Sequence, residues 1–534
     1  MLRSISTVMS FTMMSRVLGF LRDIFIGSYL GTSGVADAFF AAFRFPNMFR
    51  RIFGEGAFNA AFVPLLAREL EGEDRKRALQ FATNSFSWMV VVLGIGTLVA
   101  IPLMRWLLAL LTFGFLIPEG WSFSWGWLWE MAVYPHGTEK FEIAVNYGRI
   151  MFSYLFCMAL AAQLSGILNT LRIFAAPAFA PVLLNIVFLI GLTVIIPYGG
   201  FAGNYEQCGL VISWCVFAAG FLQLAMLWNS CRRNGFKLVF IRPRMTPGMK
   251  ALLILMVPGI ASAGVQQINL FIGTQIASVQ DHAMSWLYYA DRVYQLPLGM
   301  IGIAFGVVLL PEVSRLLRGG NQLAATQAIG NGIGFSMLLT LPAAIACIVI
   351  PQPIITVLFE RGEFFASDSR AVSLALAGYA LGLPGYVLIK LLQAGYFARE
   401  NTKTPMKIAA VTVAVNIVVS LILFPVIGYV GIALATSLAA WVNVALLVRG
   451  LRGFFHIDRA LVFKLAKIFA ASAVMGAAVW GAARVAEPWI DSGGLFLKAL
   501  GLGAVIVFGV VVYAGAALGT RATSLAELKA GFRK

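Results

Sequence analysis

The stretch AAVTVAVNIVVSLIL, residues 409–423, is almost entirely apolar, and VVVLGIGTLVAIPL at 90–103 has the same character. Runs of this length and composition are typical of membrane-spanning helices. A transmembrane β-barrel alternates apolar and polar residues in strands of about ten residues. The runs therefore predict an all-α membrane protein rather than a barrel.

The composition of the whole chain supports this prediction. Of its 534 residues, 60% are hydrophobic and only 12% are charged, against about 25% charged in soluble domains. The mean hydropathy is +0.86. These values exclude a water-soluble enzyme and leave room for roughly twelve to fifteen spans. The first apolar segment contains Arg16 and Arg22 and lacks a cleavage site, so it is predicted to remain as a span.

Hydropathy and loop breakers predict fourteen spans of a polytopic protein. Their ranges are 5–29, 36–66, 84–111, 143–171, 178–197, 207–230, 250–278, 284–314, 328–357, 370–397, 407–424, 428–448, 464–484 and 496–517.

The sorting of charges tests this count. The termini and even-numbered connections, counted with the first turn of the span that follows each, hold 26 of the 40 Lys and Arg residues, whereas the odd-numbered connections hold only Lys140 and Arg361. The positive-inside rule then places both termini in the cytoplasm, because one missed helix would invert every later connection. The same rule accounts for the net charge of +17 without a nucleic-acid partner.

A weak internal repeat organises the predicted spans. The matching residues are Arg44 and Arg292, Gly54 and Gly302, and Pro64 and Pro311. The repeat predicts two six-helix lobes around a central cavity, over 1–230 and 231–448. Two additional helices and a tail occupy 449–534. These helices could form a groove for a lipid tail or a peripheral packing element, and the sequence leaves both open.

Besides Lys390 in the tenth span, charged residues cluster inside three predicted spans, where each central charge costs about 2.5–3.5 kcal/mol on insertion scales. They are Arg16, Arg22 and Asp23 in the first span, Asp37, Arg44, Arg50, Arg51 and Glu55 in the second, and Asp291 and Arg292 in the eighth. Some of them could form ion pairs that fix helix packing, such as Arg16–Asp23 and Arg51–Glu55. Because six arginines face four acids, the surplus predicts a hydrated cavity for an anion, and the guanidinium fork matches phosphate oxygens.

Motifs for enzymatic chemistry are missing from the sequence. The five cysteines form no CxxC, so neither a disulfide framework nor a metal site is predicted. No DDxxD occurs for Mg²⁺-diphosphate chemistry, and no Gly-Lys pair of a P-loop occurs. The prediction is a transporter that is not an enzyme and has no cofactor.

Four stretches closely resemble the MurJ (MviN) family of bacterial lipid II flippases, in the multidrug/oligosaccharidyl-lipid/polysaccharide (MOP) exporter superfamily. They are SRVLGFLRD (15–23), DAFFAAFRFPNMFRRIFGEGAFNAAFVP (37–64), LNTLRIFAAPAFAPVLLN (168–185) and SWLYYADRVYQLPLG (285–299). The resemblance runs from about residue 4 to 518. It implies a V-shaped fold of fourteen helices in the inner membrane, with a role in peptidoglycan biosynthesis and cell shape. It also implies that lipid II, an undecaprenyl-diphosphate glycolipid, passes from the cytoplasmic to the periplasmic leaflet by alternating access.

The resemblance also assigns site residues. The family's essential arginines fall on Arg16, Arg22, Arg50 and Arg292, and its essential acid falls on Asp37. It implies that Arg16, Arg22 and Arg292 converge on the diphosphate, that Arg50 lies near the cytoplasmic mouth and that Asp37 pairs with an arginine. Secondary candidates in the same motifs are Asp23, Arg44, Arg51, Glu55 and Asp291.

The chain departs from the family pattern in two places. Gln295 stands where relatives can carry an acid, so charge is not required there. The connection 112–142 is long and rich in tryptophan, which is typical of a segment at the headgroup interface, although contact with a cell-wall synthase is an alternative.

Rival functions also exist. An exporter of another polyprenyl-diphosphate oligosaccharide, such as an O-antigen or capsule unit, would show the same cationic cavity. A drug/cation antiporter is opposed by the arginine surplus. The predicted partners are lipid II and membrane lipids, and the predicted oligomeric state is a monomer.

Overall fold

The computed structural model describes residues 2–50, 57–71, 75–117, 137–455, 458–491 and 493–523. Every regular element in these ranges is helical, which confirms that the protein is all-α, as predicted. Two candidate residues, Arg51 and Glu55, lie outside the described residues, as do the tryptophans of the predicted interfacial segment.

The chain divides into two compact units, 1–285 and 286–534. The first contains α1 (Leu2–Leu30), α2 (Gly34–Arg50), α3 (Ala57–Glu71), α4 (Arg75–Ala100), α5 (Met104–Leu111), α6 (Glu139–Thr170), α7 (Ala175–Ile190, continued by a π-helical turn to Tyr198), α8 (Tyr205–Arg233) and α9 (Pro247–Ser278). The predicted lobes, 1–230 and 231–448, remain a prediction.

The second unit begins within α10. It contains α10 (Ala283–Arg318, whose first turn belongs to the first unit), α11 (Gln322–Val349), α12 (Pro351–Phe359), α13 (Ala366–Ala380), α14 (Leu383–Phe397), α15 (Lys403–Ile427), α16 (Tyr429–Gly450), α17 (Arg459–Asp491) and α18 (Leu495–Gly519).

Ten helical segments of the described chain, counting α13 and α14 as one, are long and apolar enough to cross a membrane. This number identifies a multi-pass membrane protein, while the predicted total of fourteen remains a prediction. The predicted spans outside the ten are the first, second, seventh and eighth. Three of these four carry the intramembrane charges, which lower the hydropathy of the helices that contain them.

Three predicted continuous spans are each two helices, which corrects the sequence analysis. The span 84–111 breaks after Ala100, 328–357 breaks at Ile350, and 370–397 breaks after Ala380. A proline lies at or just after each break, and proline removes a backbone donor and disfavours helix in the residue before it. Proline alone does not decide the outcome, since α2 continues through Pro46.

Aromatic stacking holds the core of the first unit. Phe58 and Phe62 stack with centroids 5.1 Å apart, and Phe62 and Phe81 stack at 5.6 Å. Leu164 of α6 and Leu227 of α8 are fully buried in the same cluster. This packing joins α3, α4, α6 and α8 and fixes the frame on which the charged residues of α1 and α2 are placed.

The two C-terminal helices pack on each other and on α11. Met475 and Val479 of α17 lie in one buried cluster with Val505 of α18. The Tyr513 hydroxyl donates to the Leu338 carbonyl at 2.6 Å, and hydrogen bonds of this kind stabilise helix association in membranes.

Candidate functional site

Arg22 and Asp23 form a buried ion pair on α1. Their exposed fractions are 7% and 1%. Arg22 Nη2 lies 2.7 Å from Asp23 Oδ1, and Arg22 Nε donates to the same oxygen at 3.0 Å. Such a pair keeps a guanidinium within a helical bundle, where an uncompensated charge would be costly.

Asn185 of α7 orients this guanidinium. Arg22 Nη1 donates to Asn185 Oδ1 at 3.1 Å, while Asn185 Nδ2 donates to the Ser15 carbonyl at 2.9 Å. The Arg22 guanidinium also lies 5.0 Å from the centroid of the Phe188 ring. Gly19 provides space for the amide, since a Cβ added there would lie 3.4 Å from Asn185 Nδ2. The two helices therefore hold Arg22 in a fixed direction.

Arg16 differs from Arg22 in its environment. Its side chain is exposed, and it has no ion pair or hydrogen bond among the described residues. The Arg16–Asp23 pair considered from the sequence is absent there, since Asp23 accepts from Arg22 instead. Positions seven residues apart share a helix face but are separated by about 10 Å along the axis, so periodicity alone does not bring them into contact.

Arg44 is half-buried on α2 and donates through Nη1 to the hydroxyl of Thr274 on α9. Thr274 in turn donates to the Leu270 carbonyl at 2.7 Å. The arginine is therefore part of the packing between α2 and α9. The backbone of Arg50 ends α2, while its side chain lies outside the described residues.

Asp37 is fully buried at the start of α2. Its Oδ1 accepts from Ser285 N at 2.9 Å and from Ser285 Oγ at 2.6 Å. Ser285 lies in the first turn of α10, where backbone N–H groups have no partner within the helix. Asp37 thus caps α10, and it pairs with no arginine among the described residues, so the pairing that the resemblance implied stays a prediction.

The side chain of Lys140 places a cation beside this cap. Lys140 Nζ is 3.9 Å from Asp37 Oδ2 and also pairs with Asp281 in the connection between α9 and α10. Lys140 lowers the pKa of Asp281 by hydrogen bonding to its carboxylate. His282 follows in the left-handed region, with φ of 63°, and its Nδ1 contacts the Thr32 carbonyl. The cluster joins the beginnings of α2, α6 and α10.

Arg292 lies in the second unit among aromatic rings. Its guanidinium is 4.7 Å from the centroid of Tyr288, and the neighbouring Asp291 accepts from Gln295 one turn further on. Tyr294 stacks on Tyr379 of α13 with centroids 5.3 Å apart. Rings of this kind stabilise a guanidinium, so the Tyr288 contact helps to fix the position of the Arg292 side chain.

Several residues that contact the charged side chains of the site were not predicted, because they are polar but unremarkable in sequence. In the sequence, Asn185 is only the last residue of the family-like stretch 168–185, and Lys140 is only an exception to the charge sorting. Ser285 and Thr274 carry no signal of their own. Partners of a charged side chain come from distant helices, so pairing could not be predicted from spacing on one helix.

The apolar helices and the buried side chains of Arg22, Asp23 and Asp37 define the class of the protein as a multi-pass membrane protein with charged groups buried among its helices. The family model "Lipid II flippase MurJ" matches residues 26–499. The chain therefore belongs to the MurJ family of lipid II flippases, which are transporters and not enzymes. The resemblance found in the sequence motifs is confirmed.

Relatives align over nearly the whole chain. The chain is 41% identical to the probable lipid II flippase MurJ of Rhizobium meliloti (strain 1021), over 100% of this chain and 96% of the relative. It is 35% identical to the probable lipid II flippase MurJ of Vibrio cholerae, over 96% and 95%. It is 34% identical to the lipid II flippase MurJ of Burkholderia cenocepacia, over 84% and 83%.

Solved structures share the fold. A lipid II flippase MurJ in an inward closed conformation matches with a TM-score of 0.77 and 24% identity, over 96% of this chain and 98% of the other. An inward-facing MATE-family multidrug transporter of the MOP superfamily matches with a TM-score of 0.64 and 14% identity, over 86% and 98%. These likenesses agree with the superfamily assigned from the sequence.

Proposed function

We propose that the chain moves lipid II from the cytoplasmic to the periplasmic leaflet by alternating access, and that Arg16, Arg22 and Arg292 bind its diphosphate. Membership of the family supports the substrate. The observation that carries the binding role is the contrast on α1, where Arg22 is fixed by Asp23 and Asn185 while Arg16 has no counter-ion among the described residues. An anionic headgroup can bind Arg16 directly and compete with Asp23 for Arg22.

Asp37 has a different role in this proposal. We infer that it stabilises one conformation by capping α10 and neutralising Lys140, rather than by touching the substrate. The two hydrogen bonds from Ser285 and the nearby Lys140 ammonium support this role. Breaking the hydrogen bonds between Ser285 and Asp37 would expose the buried Asp37 carboxylate. Loss of this cap is therefore coupled to a change of environment at the start of α10.

The topology is proposed to follow the charge sorting. Fourteen spans, with both termini in the cytoplasm and two six-helix lobes around a central cavity, place the basic connections inside the cell. We propose that α17 and α18 provide a groove for the lipid tail. Exposed apolar side chains on both helices support this, including Phe469, Trp480, Val507 and Val510. A monomer suffices for this scheme, and the tryptophan-rich segment is assigned to the membrane interface rather than to a synthase.

The test is depletion of the protein in its own host, with labelled lipid II followed in each leaflet. We expect lipid II to accumulate on the cytoplasmic face while polymerised wall decreases. Continued wall synthesis with accumulation of another glycolipid would instead assign the chain to exporters of other polyprenyl-diphosphate oligosaccharides.

The role of the arginines is tested separately in the same host. The R22A/R292A double variant is expressed to the same level as the parent protein. Normal flipping by this variant would refute the diphosphate site while leaving the transport function intact.

A further inference from the structure

The connection between α8 and α9, residues 234–246, has no regular secondary structure but is fixed to α4. Asn84 Nδ2 donates to the Arg244 carbonyl at 2.8 Å, and Arg244 N donates back to Asn84 Oδ1 at 2.8 Å. The Trp88 indole donates to the same carbonyl at 3.2 Å. These bonds give the connection a defined path along the helix.

The path returns toward the apolar part of α4. At one end Arg75 Nη2 donates to the Asn234 carbonyl at 2.8 Å. Further along, Ile241 N donates to Ser87 Oγ at 3.0 Å. Residues 75 and 87 are separated by about 18 Å along a helix, and the apolar run of α4 begins just beyond, at Val90. Ile241 therefore lies where α4 enters the membrane.

Some side chains of the connection are buried in the protein, and others are exposed on its surface. Phe236 and Leu238 are buried, with 1% and 5% of their surface exposed, whereas Val239 and Phe240 are 62% and 60% exposed. Ile241 is also exposed, at 38%. Three consecutive apolar side chains thus face outward at the level of the membrane boundary, although the buried pair already anchors the segment to the protein.

Three cations flank this apolar triplet. Lys237, Arg242 and Arg244 are exposed, and none has an ion-pair partner among the described residues. Exposed apolar side chains beside cations without counter-ions are typical of a segment that inserts into the headgroup layer. The positive charge selects anionic lipids over neutral ones.

We propose that the connection between α8 and α9 is a binding site for an anionic glycerophospholipid, with Arg242 and Arg244 on the phosphate and Val239, Phe240 and Ile241 on the glycerol and upper acyl chains. The hydrogen bonds to α4 hold this surface in place before the lipid binds, which reduces the entropic cost of binding. The site lies on residues that the proposed transport site does not use.

The test measures which lipid lies next to the triplet. The full chain with the V239C substitution is labelled with a fluorophore, because the five native cysteines are all buried. It is reconstituted into phosphatidylcholine vesicles that contain phosphatidylglycerol, with brominated acyl chains on one lipid or the other. Bromine quenches only a neighbouring fluorophore, so the ratio of quenching by the two lipids reports local enrichment.

We expect brominated phosphatidylglycerol to quench about fivefold more than an equal amount of brominated phosphatidylcholine, which is the preference that one cation near an anionic surface provides. The double substitution R242Q/R244Q should bring the ratio close to one. The matched control R315Q/R318Q removes the same charge from exposed residues in the last turn of α10 and should leave the ratio unchanged.

Three results would overturn the proposal. The parent protein could show equal quenching by both lipids, which would exclude selection of the anionic headgroup. It could show no quenching by either, which would place the triplet outside the membrane. The two double variants could lower the ratio equally, which would assign the lipid preference to the general positive charge of the protein rather than to this connection.

Discussion

Arg16 and Arg22 both lie on α1, yet among the described residues only Arg22 has a counter-ion. This difference separates an effect on stability from an effect on transport. Replacing Arg16 by Ala removes an exposed side chain without a described partner, so the free energy of unfolding should change by less than about 0.5 kcal/mol. Transport should nevertheless be lost, because the anion loses its uncompensated cation. Thermal unfolding and a leaflet-resolved lipid II assay in proteoliposomes measure the two effects.

The matched variant is R22A, which should lose both properties. Removal of Arg22 leaves Asp23 buried without its partner, and breaking a buried pair costs about 3–5 kcal/mol. The distinction fails if R16A unfolds as readily as R22A, or if R16A flips lipid II at the rate of the parent protein.

A second prediction at the scale of single residues concerns Asp37. The D37A substitution removes the cap of α10 and should lower the free energy of unfolding by about 1–2 kcal/mol, with loss of transport. S285A should be milder, since the Ser285 N–H can still donate to Asp37. Unfolding and transport assays on both variants measure this order. Equal damage from the two substitutions would assign the role to the hydroxyl group, and normal transport by D37A would remove Asp37 from the mechanism.

At the scale of helices, Gly19 lies where α1 packs against Asn185 of α7. A Cβ there would lie 3.4–3.7 Å from the Asn185 amide, which is ordinary van der Waals contact, so G19A should fold and transport as the parent does. G19L overfills the contact and should cost about 1–3 kcal/mol, while separating Asn185 from Arg22. Thermal unfolding and the transport assay test both. A well-folded, active G19L variant would show that close packing of α1 on α7 is dispensable.

The helices also show what sequence could predict and why. Apolar runs such as 409–423 predicted α15 (Lys403–Ile427) to within a few residues, because hydropathy acts within one segment. The breaks after Ala100 and Ala380 were not predicted, because neighbouring helices decide whether a proline near a helix end interrupts it. Among the site residues, Arg22 and Asp23 were predicted as intramembrane charges, whereas their contact with Asn185 required the packing of a second helix.

At the scale of the whole molecule, the sorting of charges predicts which connections face the cytoplasm. The helices α13 and α14 together form the predicted tenth span and are separated by a break at Leu381 and Gly382. Ser367 lies at one end of this pair and Thr402 follows the other end, and both are exposed. If the pair crosses the membrane, the two positions lie on opposite sides of it.

A membrane-impermeant maleimide on spheroplasts therefore tests count and orientation together. We expect S367C to react from outside and T402C to react only after the membrane is opened, because the positive-inside rule places the basic connection after α14 in the cytoplasm. The parent protein is the control, since its five cysteines are buried. Reaction of T402C alone from outside would show that the topology is the reverse of the predicted one. Reaction of both would show that α13 and α14 turn back at their break instead of spanning, which would remove one helix from the fourteen and place the later connections on the wrong side.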